Sequence, residues 1–133
     1  GLSRYLRSVS PQAAKAMWRG VLALRCWRDL DGALPATNLT LRDKALRQMD
    51  RAMLRGIAVL IRARLEVFSH ETCKEAKDAL WAGIQILGGV LDREARIRDA
   101  TQALTLASEL AKDGGHADAR KIDSAIDALF PCP

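Results

Sequence analysis

The histidines, the cysteines and one close pair of acids are the residues of this chain whose types could do chemistry. His70 and His116 fall at predicted corners beside helix ends, and neither has a second histidine at metal-ligand spacing on a helix. The Glu-x-x-His pairs that hold two metal ions in some helical bundles do not occur in the sequence. We therefore expect no metal site and no cofactor.

The cysteines are Cys26, Cys73 and Cys132, and their spacing matches no metal-binding pattern. Their odd number argues against a complete disulfide framework. Cys26 and Cys73 fall in predicted helices, where we expect them to pack as small apolar side chains. This use of cysteine favours the cytoplasm or another reducing compartment, which includes the inside of a host cell if the protein is delivered into one. Because the chain begins with Gly1 rather than methionine, we also expect a processed chain or a fragment of a larger protein.

Asp123 and Asp127 lie one helical turn apart on the predicted last helix. Paired carboxylates serve in general acid–base catalysis, but on a terminal helix a solvated pair is the more common case. The sequence also has no glycine-rich phosphate loop, no nucleophile elbow and no readable cysteine–histidine pair. It therefore predicts a protein that is not an enzyme, and no small-molecule substrate is inferred.

Helices must position all of these residues, because the composition favours helix throughout. Of 133 residues, 49% are apolar and only 5% aromatic, and alanine, leucine and arginine abound. We predict an all-α fold, an antiparallel bundle of four main helices plus a short C-terminal helix, in a single domain over residues 1–133. The segment 1–9 is predicted to be either a short helix or a basic arm. Arginine far outnumbers lysine, which is typical of GC-rich bacterial genes, so we expect a bacterial protein.

Capping and turn residues set the predicted helix boundaries. Ser10-Pro11 begins a helix that runs to about Leu30, and residues 31–38 form a loop. Thr40 caps the next helix, 41–68. The capping box at residues 72–75 begins a third helix, which weakens at Gly88-Gly89. Asp92 caps a fourth helix over 93–112, and the last helix covers 118–130. Its predicted buried residues are Ile122, Ala125, Ile126, Leu129 and Phe130.

The helix predicted at Leu41–Phe68 is the longest, and it has two distinct faces at 100° per residue. The apolar face is expected to be buried, Met53, Ile57 and Leu60 above all. Its members are Leu46, Met49, Met53, Gly56, Ile57, Leu60, Val67 and Phe68. At Gly56 the missing side chain should let a neighbouring helix come close. The opposite face is a basic ridge that consists of Lys44, Arg47, Arg51, Arg55 and Arg62.

The basic ridge is either a solvated face or a surface that meets acids. Arg47, Arg51 and Arg55 follow one another at i, i+4 spacing with no acid between them on that face, so they repel one another. Residues 1–64 carry thirteen Lys or Arg against four Asp or Glu, whereas residues 65–133 carry eight against twelve. The acids that relieve the repulsion within the basic ridge therefore lie either in the C-terminal half of the chain or on a partner.

The first long helix has apolar residues on two sides. One stripe consists of Ala13, Ala14, Met17, Val21 and Leu24, and a second stripe consists of Trp18, Leu22 and Cys26. A helix that is apolar on two sides is either central in a bundle or part of an interface. We expect the central position, with the interface as the alternative.

These features together predict a non-catalytic helical-bundle interaction module, part of a bacterial regulatory or effector protein. It is expected to bind an acidic protein surface or to self-associate. The first alternative is attachment to anionic membranes through the basic helix face. The second is nucleic-acid binding, which the pI of about 9.5 allows. Helix-turn-helix spacing is missing and aromatic residues are few, so nucleic acid is the less favoured partner.

Overall fold

The computed structural model describes residues 2–29 and 35–131, and six α-helices occupy these ranges. They are α1 (Leu2–Val9), α2 (Pro11–Asp29), α3 (Pro35–His70), α4 (Lys74–Arg98), α5 (Ala100–Leu110) and α6 (Ala119–Leu129). No β-strand occurs in the described ranges. The predicted all-α class is confirmed, and the segment 1–9 contains a helix. The antiparallel bundle arrangement stays a prediction. Over the same ranges, no helix has both the length and the apolar character needed to cross a bilayer.

The chain divides into two compact units, Gly1–Gly56 (unit 1) and Ile57–Pro133 (unit 2). The boundary falls within α3, so each unit takes one part of that helix. The single domain predicted over 1–133 stays a prediction.

Unit 1 contains α1, α2 and the first part of α3, and it buries mainly small residues. The Ser10 hydroxyl accepts a hydrogen bond from the Ala13 N–H at 3.4 Å, which fixes the start of α2. A Cβ on Gly56 would lie 2.7 Å from Leu6 Cδ1, so α1 approaches α3 closely there, as predicted for this glycine. The buried residues of unit 1 are Leu6, Ala13, Gly20, Ala45, Ala52 and Gly56.

Unit 2 contains the end of α3 with α4, α5 and α6, and it buries large side chains. Phe68 of α3 packs on Trp81 of α4 with ring centroids 5.4 Å apart. The Trp81 indole N–H donates to the Lys112 carbonyl oxygen at 3.1 Å, so this large ring is buried without leaving its donor unpaired. The largest fully buried side chains are Leu60, Ile61, Ile84, Leu91, Ile122 and Ile126.

The longest helix begins earlier than predicted. α3 starts at Pro35, so Thr40 lies inside the helix rather than at its cap. Proline suits a first helical position, since it lacks the N–H that would have no partner there. Of the loop predicted at 31–38, residues 35–38 are therefore helical, and residues 31–34 lie outside the described part of the chain.

The boundary between α4 and α5 was also predicted wrongly. α4 continues through Gly88-Gly89 to Arg98, and Asp99 rather than Asp92 caps the next helix. The Asp99 carboxylate accepts from the N–H groups of Thr101 and Gln102 at 2.9 and 3.1 Å. Gly88 is retained inside α4 because Leu110 of α5 occupies the space that a Cβ would fill. A contact with a distant residue, rather than a helix end, accounts for this glycine.

The capping box predicted at residues 72–75 is not formed. Cys73 is the N-cap of α4 and makes no capping hydrogen bond with its side chain. Instead, the Glu71 carboxylate accepts from the N–H groups of Thr72 and Cys73, each at 2.9 Å. The preceding acid therefore satisfies the backbone of this corner and leaves the Cys73 side chain exposed.

The predicted buried face of the long helix is only partly right. Ile57, Leu60 and Phe68 are buried, whereas Leu46, Met53 and Val67 are 42%, 42% and 49% exposed. In the part of α3 that belongs to unit 1, the buried positions are alanines and glycine, because closely packed helices leave little room for larger side chains there. In α6, by contrast, all five predicted residues are buried.

Candidate functional site

The histidines and cysteines do not come together in the structure. His70 Nε2 lies 3.2 Å from Glu66 Oε1, and His116 Nδ1 lies 2.8 Å from Asp113 Oδ2, each pair exposed on its own element. Among residues 2–29 and 35–131, no group of three potential metal ligands occurs. Cys26 and Cys73 are exposed, so the prediction that they pack as small apolar side chains is wrong. Cys132 lies outside the described residues.

The acid pair on α6 contacts the last residue of the basic ridge. Arg62 Nε lies 2.7 Å from Asp123 Oδ1, and Arg62 Nη1 lies 2.9 Å from Asp127 Oδ1. One guanidinium thus bridges two carboxylates that are one turn apart, an arrangement that fixes α6 against the end of α3 in unit 2. Asp123 and Asp127 are therefore not simply solvated, and Arg62 meets acids of the C-terminal half.

The remaining ridge residues all belong to unit 1 and are exposed, namely Lys44, Arg47, Arg51 and Arg55. Lys44, Arg47 and Arg51 form no ion pair with any residue in the described part of the chain. The sequence left open whether the ridge meets internal acids or a partner. The structure divides the ridge accordingly, with Arg62 paired internally and these three cations facing solvent.

An open groove of about 410 Å³ lies between α1 and α2 in unit 1. Its apolar lining comes from both helices, and two cations, Arg7 of α1 and Lys15 of α2, lie along it. We call it the α1–α2 groove. Its lining residues are Leu6, Arg7, Pro11, Ala14, Lys15, Met17, Trp18 and Val21. A cavity of this size accommodates a few apolar side chains of a bound molecule.

The second apolar stripe of α2 continues outward from this groove. Trp18, which lines the groove, is 61% exposed, and Leu22 one turn later is 41% exposed. Cys26 follows a further turn along and is also exposed. The central position expected for this stripe is therefore wrong. Helix α2 buries Ala13 and Gly20 instead, and it presents the large Trp18 side chain to solvent.

The local packing explains why these large residues are exposed. The face of α2 that meets α3 is held by Gln48, whose side chain donates to the Ala16 carbonyl oxygen at 3.2 Å. A Cβ on Gly20 would collide with the Met49 side chain of α3, so the two helices approach closely there and only small residues fit between them. Trp18 and Leu22 do not fit there and lie on the outer side of α2.

Several of the residues described above were missed in the sequence. Leu6, Arg7 and Lys15 line the α1–α2 groove, but a groove between two helices cannot be read before their crossing is known. The signal that was present is the alternation of basic and apolar residues in Arg4-Tyr5-Leu6-Arg7, which makes α1 strongly amphipathic.

Glu109 of α5 was also missed, and it is the buried acid of the described chain. Its carboxylate accepts from Lys112 Nζ at 2.8 Å and from the Asp118 N–H at 2.9 Å. The hydrogen bond from Lys112, and then that from the Asp118 backbone, lower the pKa of Glu109 below its ordinary value. Glu109 therefore joins α5 to the start of α6.

Comparisons with models of protein families, with curated proteins and with solved structures found no match to this chain.

Proposed function

We propose that this chain is a non-catalytic interaction module whose unit 1 docks an acidic, amphipathic segment of a partner protein. The observation that carries the proposal is Trp18, which is 61% exposed at the α1–α2 groove. Apolar residues of the bound segment would enter the groove, and its acids would meet the surrounding cations. Tryptophan is among the residues that contribute most to binding energy at protein interfaces.

The charges around the groove support an acidic partner. Arg7 and Lys15 line it, and both are exposed. Neither cation forms an ion pair with a residue of the described chain, so both can meet carboxylates of a bound molecule. Exposed charges of this kind steer association and set orientation more than they add affinity.

The shape of the site favours a protein segment over a lipid surface or nucleic acid. A membrane is approached by a protruding apolar tip with basic flanks, whereas the apolar lining here is concave. Nucleic acid binds to basic surfaces that track phosphates and to aromatic rings that stack on bases. An apolar groove with two cations matches neither, but it does match the recognition of an amphipathic helix by its apolar face.

A binding experiment with defined probes tests the proposal. The probes are an amphipathic helical peptide with a leucine face and a glutamate face, its lysine counterpart, anionic phospholipid vesicles and duplex DNA. We expect the glutamate peptide alone to bind with a saturable isotherm, which weakens between about 0.05 M and about 0.3 M salt as exposed charges are screened.

The Trp18→Ala variant should lower the affinity for the glutamate peptide at least about tenfold. Leu104→Ala is the matched control, because Leu104 is 62% exposed but lies on α5 in unit 2. This control should leave binding unchanged. Equal binding by the Trp18→Ala protein would contradict the proposal, and preferential binding to vesicles or to DNA would assign the surface to that partner instead.

A further inference from the structure

An exposed apolar face runs along α4 in unit 2, separate from the α1–α2 groove. Ile86 and Ile97 are 71% and 70% exposed, and Val90 is 48% exposed. Ala79, Ala82 and Gly89, all exposed, lie on the same side of the helix. The positions 79, 82, 86, 89 and 93 follow the alternating three- and four-residue spacing of a coiled-coil seam. Apolar residues exposed in such a line indicate an interaction surface.

Arg93 lies within this face and has no acid partner in the described chain. The two arginines that follow it on α4 are each paired. Arg96 Nε lies 2.8 Å from Asp92 Oδ2, and Arg98 Nε lies 3.0 Å from Glu94 Oε1. Arg93 has glycine and isoleucine one turn before and after it, so its own helix offers no acid at i±4 spacing. A cation in this position would be satisfied by an acid from across an interface.

Such an acid is present at the other end of the same face. Glu75 is exposed in the first turn of α4. It precedes Arg93 by eighteen residues, which is five whole turns of an α-helix, so the two side chains lie on one line along the helix. The face is therefore acidic at its N-terminal end, apolar in the middle and basic towards its C-terminal end.

We propose that α4 pairs with α4 of a second copy of this chain in antiparallel orientation. A twofold axis at the middle of the face places Arg93 of each copy opposite Glu75 of the other. Because a closed dimer repeats every contact, this arrangement forms the ion pair twice. The same register places Ile86 opposite Ala82 and Gly89 opposite Ala79, so the one large side chain that each copy places in the seam meets a small one.

The charges select the antiparallel orientation over the parallel one. In a parallel pair Arg93 would lie beside Arg93, and Glu75 beside Glu75, so both ends would repel. Antiparallel pairing also places the positive end of each helix dipole beside the negative end of the other. The face is thus complementary to itself, which is the reason to name a second copy as its partner.

The test is the mass of the full chain in solution over a wide concentration range, by light scattering and sedimentation. We expect the wild-type protein to form a dimer and Ile86→Glu to return it to a monomer with unchanged helical content. Arg93→Glu alone, and Glu75→Arg alone, should each raise the dimer dissociation constant at least about tenfold, because each brings like charges together. The double variant should recover an affinity within about threefold of the wild type.

Arg120→Glu is the matched control, since it makes the same charge change on an exposed residue of α6. It should leave the dimer intact. A wild-type chain that is monomeric at every concentration would overturn the proposal. A dimer that survives Ile86→Glu would also overturn it, and so would a double variant whose dimer is weaker than those of both single variants. A dimer that is dissolved by Leu22→Glu would place the interface on the Trp18 side of α2 instead and would overturn the proposal as well. None of these outcomes depends on the binding of an acidic peptide.

Discussion

At the scale of single residues, Glu109 of unit 2 and Trp18 of unit 1 have unusual environments of opposite kinds. Glu109 is buried, yet it is satisfied by Lys112 and by the Asp118 backbone. Lys121 Nζ also lies 3.8 Å from Glu109 Oε1. Trp18 has the opposite character, because a large apolar side chain is exposed although burial would stabilise it. Of these two residues, only Trp18 has apolar surface that a bound partner would bury.

The hydrogen bonds to Glu109 predict a defined pH dependence. Since folding lowers the pKa of this carboxyl below its ordinary value of 4.5, its contribution to stability is complete above about pH 4.5 and is lost as the pH falls through the lower folded value. Urea unfolding at about pH 6 and about pH 3 should therefore give a smaller acid-side loss of stability for Glu109→Gln than for the wild type. Identical losses in the two proteins would show that Glu109 has no part in acid unfolding.

At the scale of elements, α3 changes character along its length. Up to Gly56 it buries alanine and glycine, and from Ile57 onward it buries isoleucine, leucine and phenylalanine. The basic ridge changes with it, since Lys44, Arg47 and Arg51 face solvent while Arg62 bridges Asp123 and Asp127. One helix therefore contributes an internal ion-pair surface to unit 2 and an exposed cationic surface to unit 1.

This difference predicts unequal effects of two substitutions on α3. Leu60 is 1% exposed, so Leu60→Ala should cost about 2–5 kcal/mol of stability through lost apolar burial and a cavity. Met53 is 42% exposed, so Met53→Ala should cost less than about 1 kcal/mol. Urea unfolding of both variants measures the difference. A Met53→Ala loss as large as that of Leu60→Ala would mean that the face containing Leu46 and Met53 is covered in the folded protein.

The sequence predicts an element well where local capping residues set its ends, and poorly where a contact with a distant residue does. α6 was predicted almost completely, because Asp118 accepts from two backbone N–H groups at its start and a regular apolar pattern follows. The end of α4 was not, because α4 continues past Gly88, which packs against Leu110 of α5, and past the predicted cap Asp92. Ile97 near the end of α4 and Leu104 on α5 are both exposed.

The candidate site was predictable only in its parts. The apolar stripe Trp18-Leu22-Cys26 and the basic ridge were both visible in the sequence, and their exposure was an open alternative. The α1–α2 groove was not visible, because it depends on α1 being a helix and on Leu6 packing against Gly56. Tertiary packing of this kind leaves no periodic signal in the sequence.

At the scale of the whole molecule, the two units use apolar residues differently. The described part of unit 2 buries a large core and leaves one long apolar face, that of α4, on its surface. Unit 1 buries mainly small residues and exposes larger ones, including Trp18, Leu22, Leu46 and Met53. Since apolar burial is the main favourable term in folding, unit 1 retains apolar surface whose burial can still drive association. In the proposed function, the cations of unit 1 would select an acidic partner.

The proposed function requires an acidic amphipathic segment to bind at Trp18. The most direct measurement is the indole N–H signals of the three tryptophans in a ¹H–¹⁵N spectrum during titration with the glutamate-faced peptide. Trp81 is an internal reference, because it is 6% exposed and its indole N–H is bonded to the Lys112 carbonyl oxygen. The Trp18 signal is the one that is absent from the spectrum of Trp18→Ala. Binding at Trp18 predicts that this signal shifts until it saturates while the Trp81 signal stays in place. A Trp18 signal that does not move while the peptide binds, or a Trp81 signal that moves in its place, would contradict binding at Trp18.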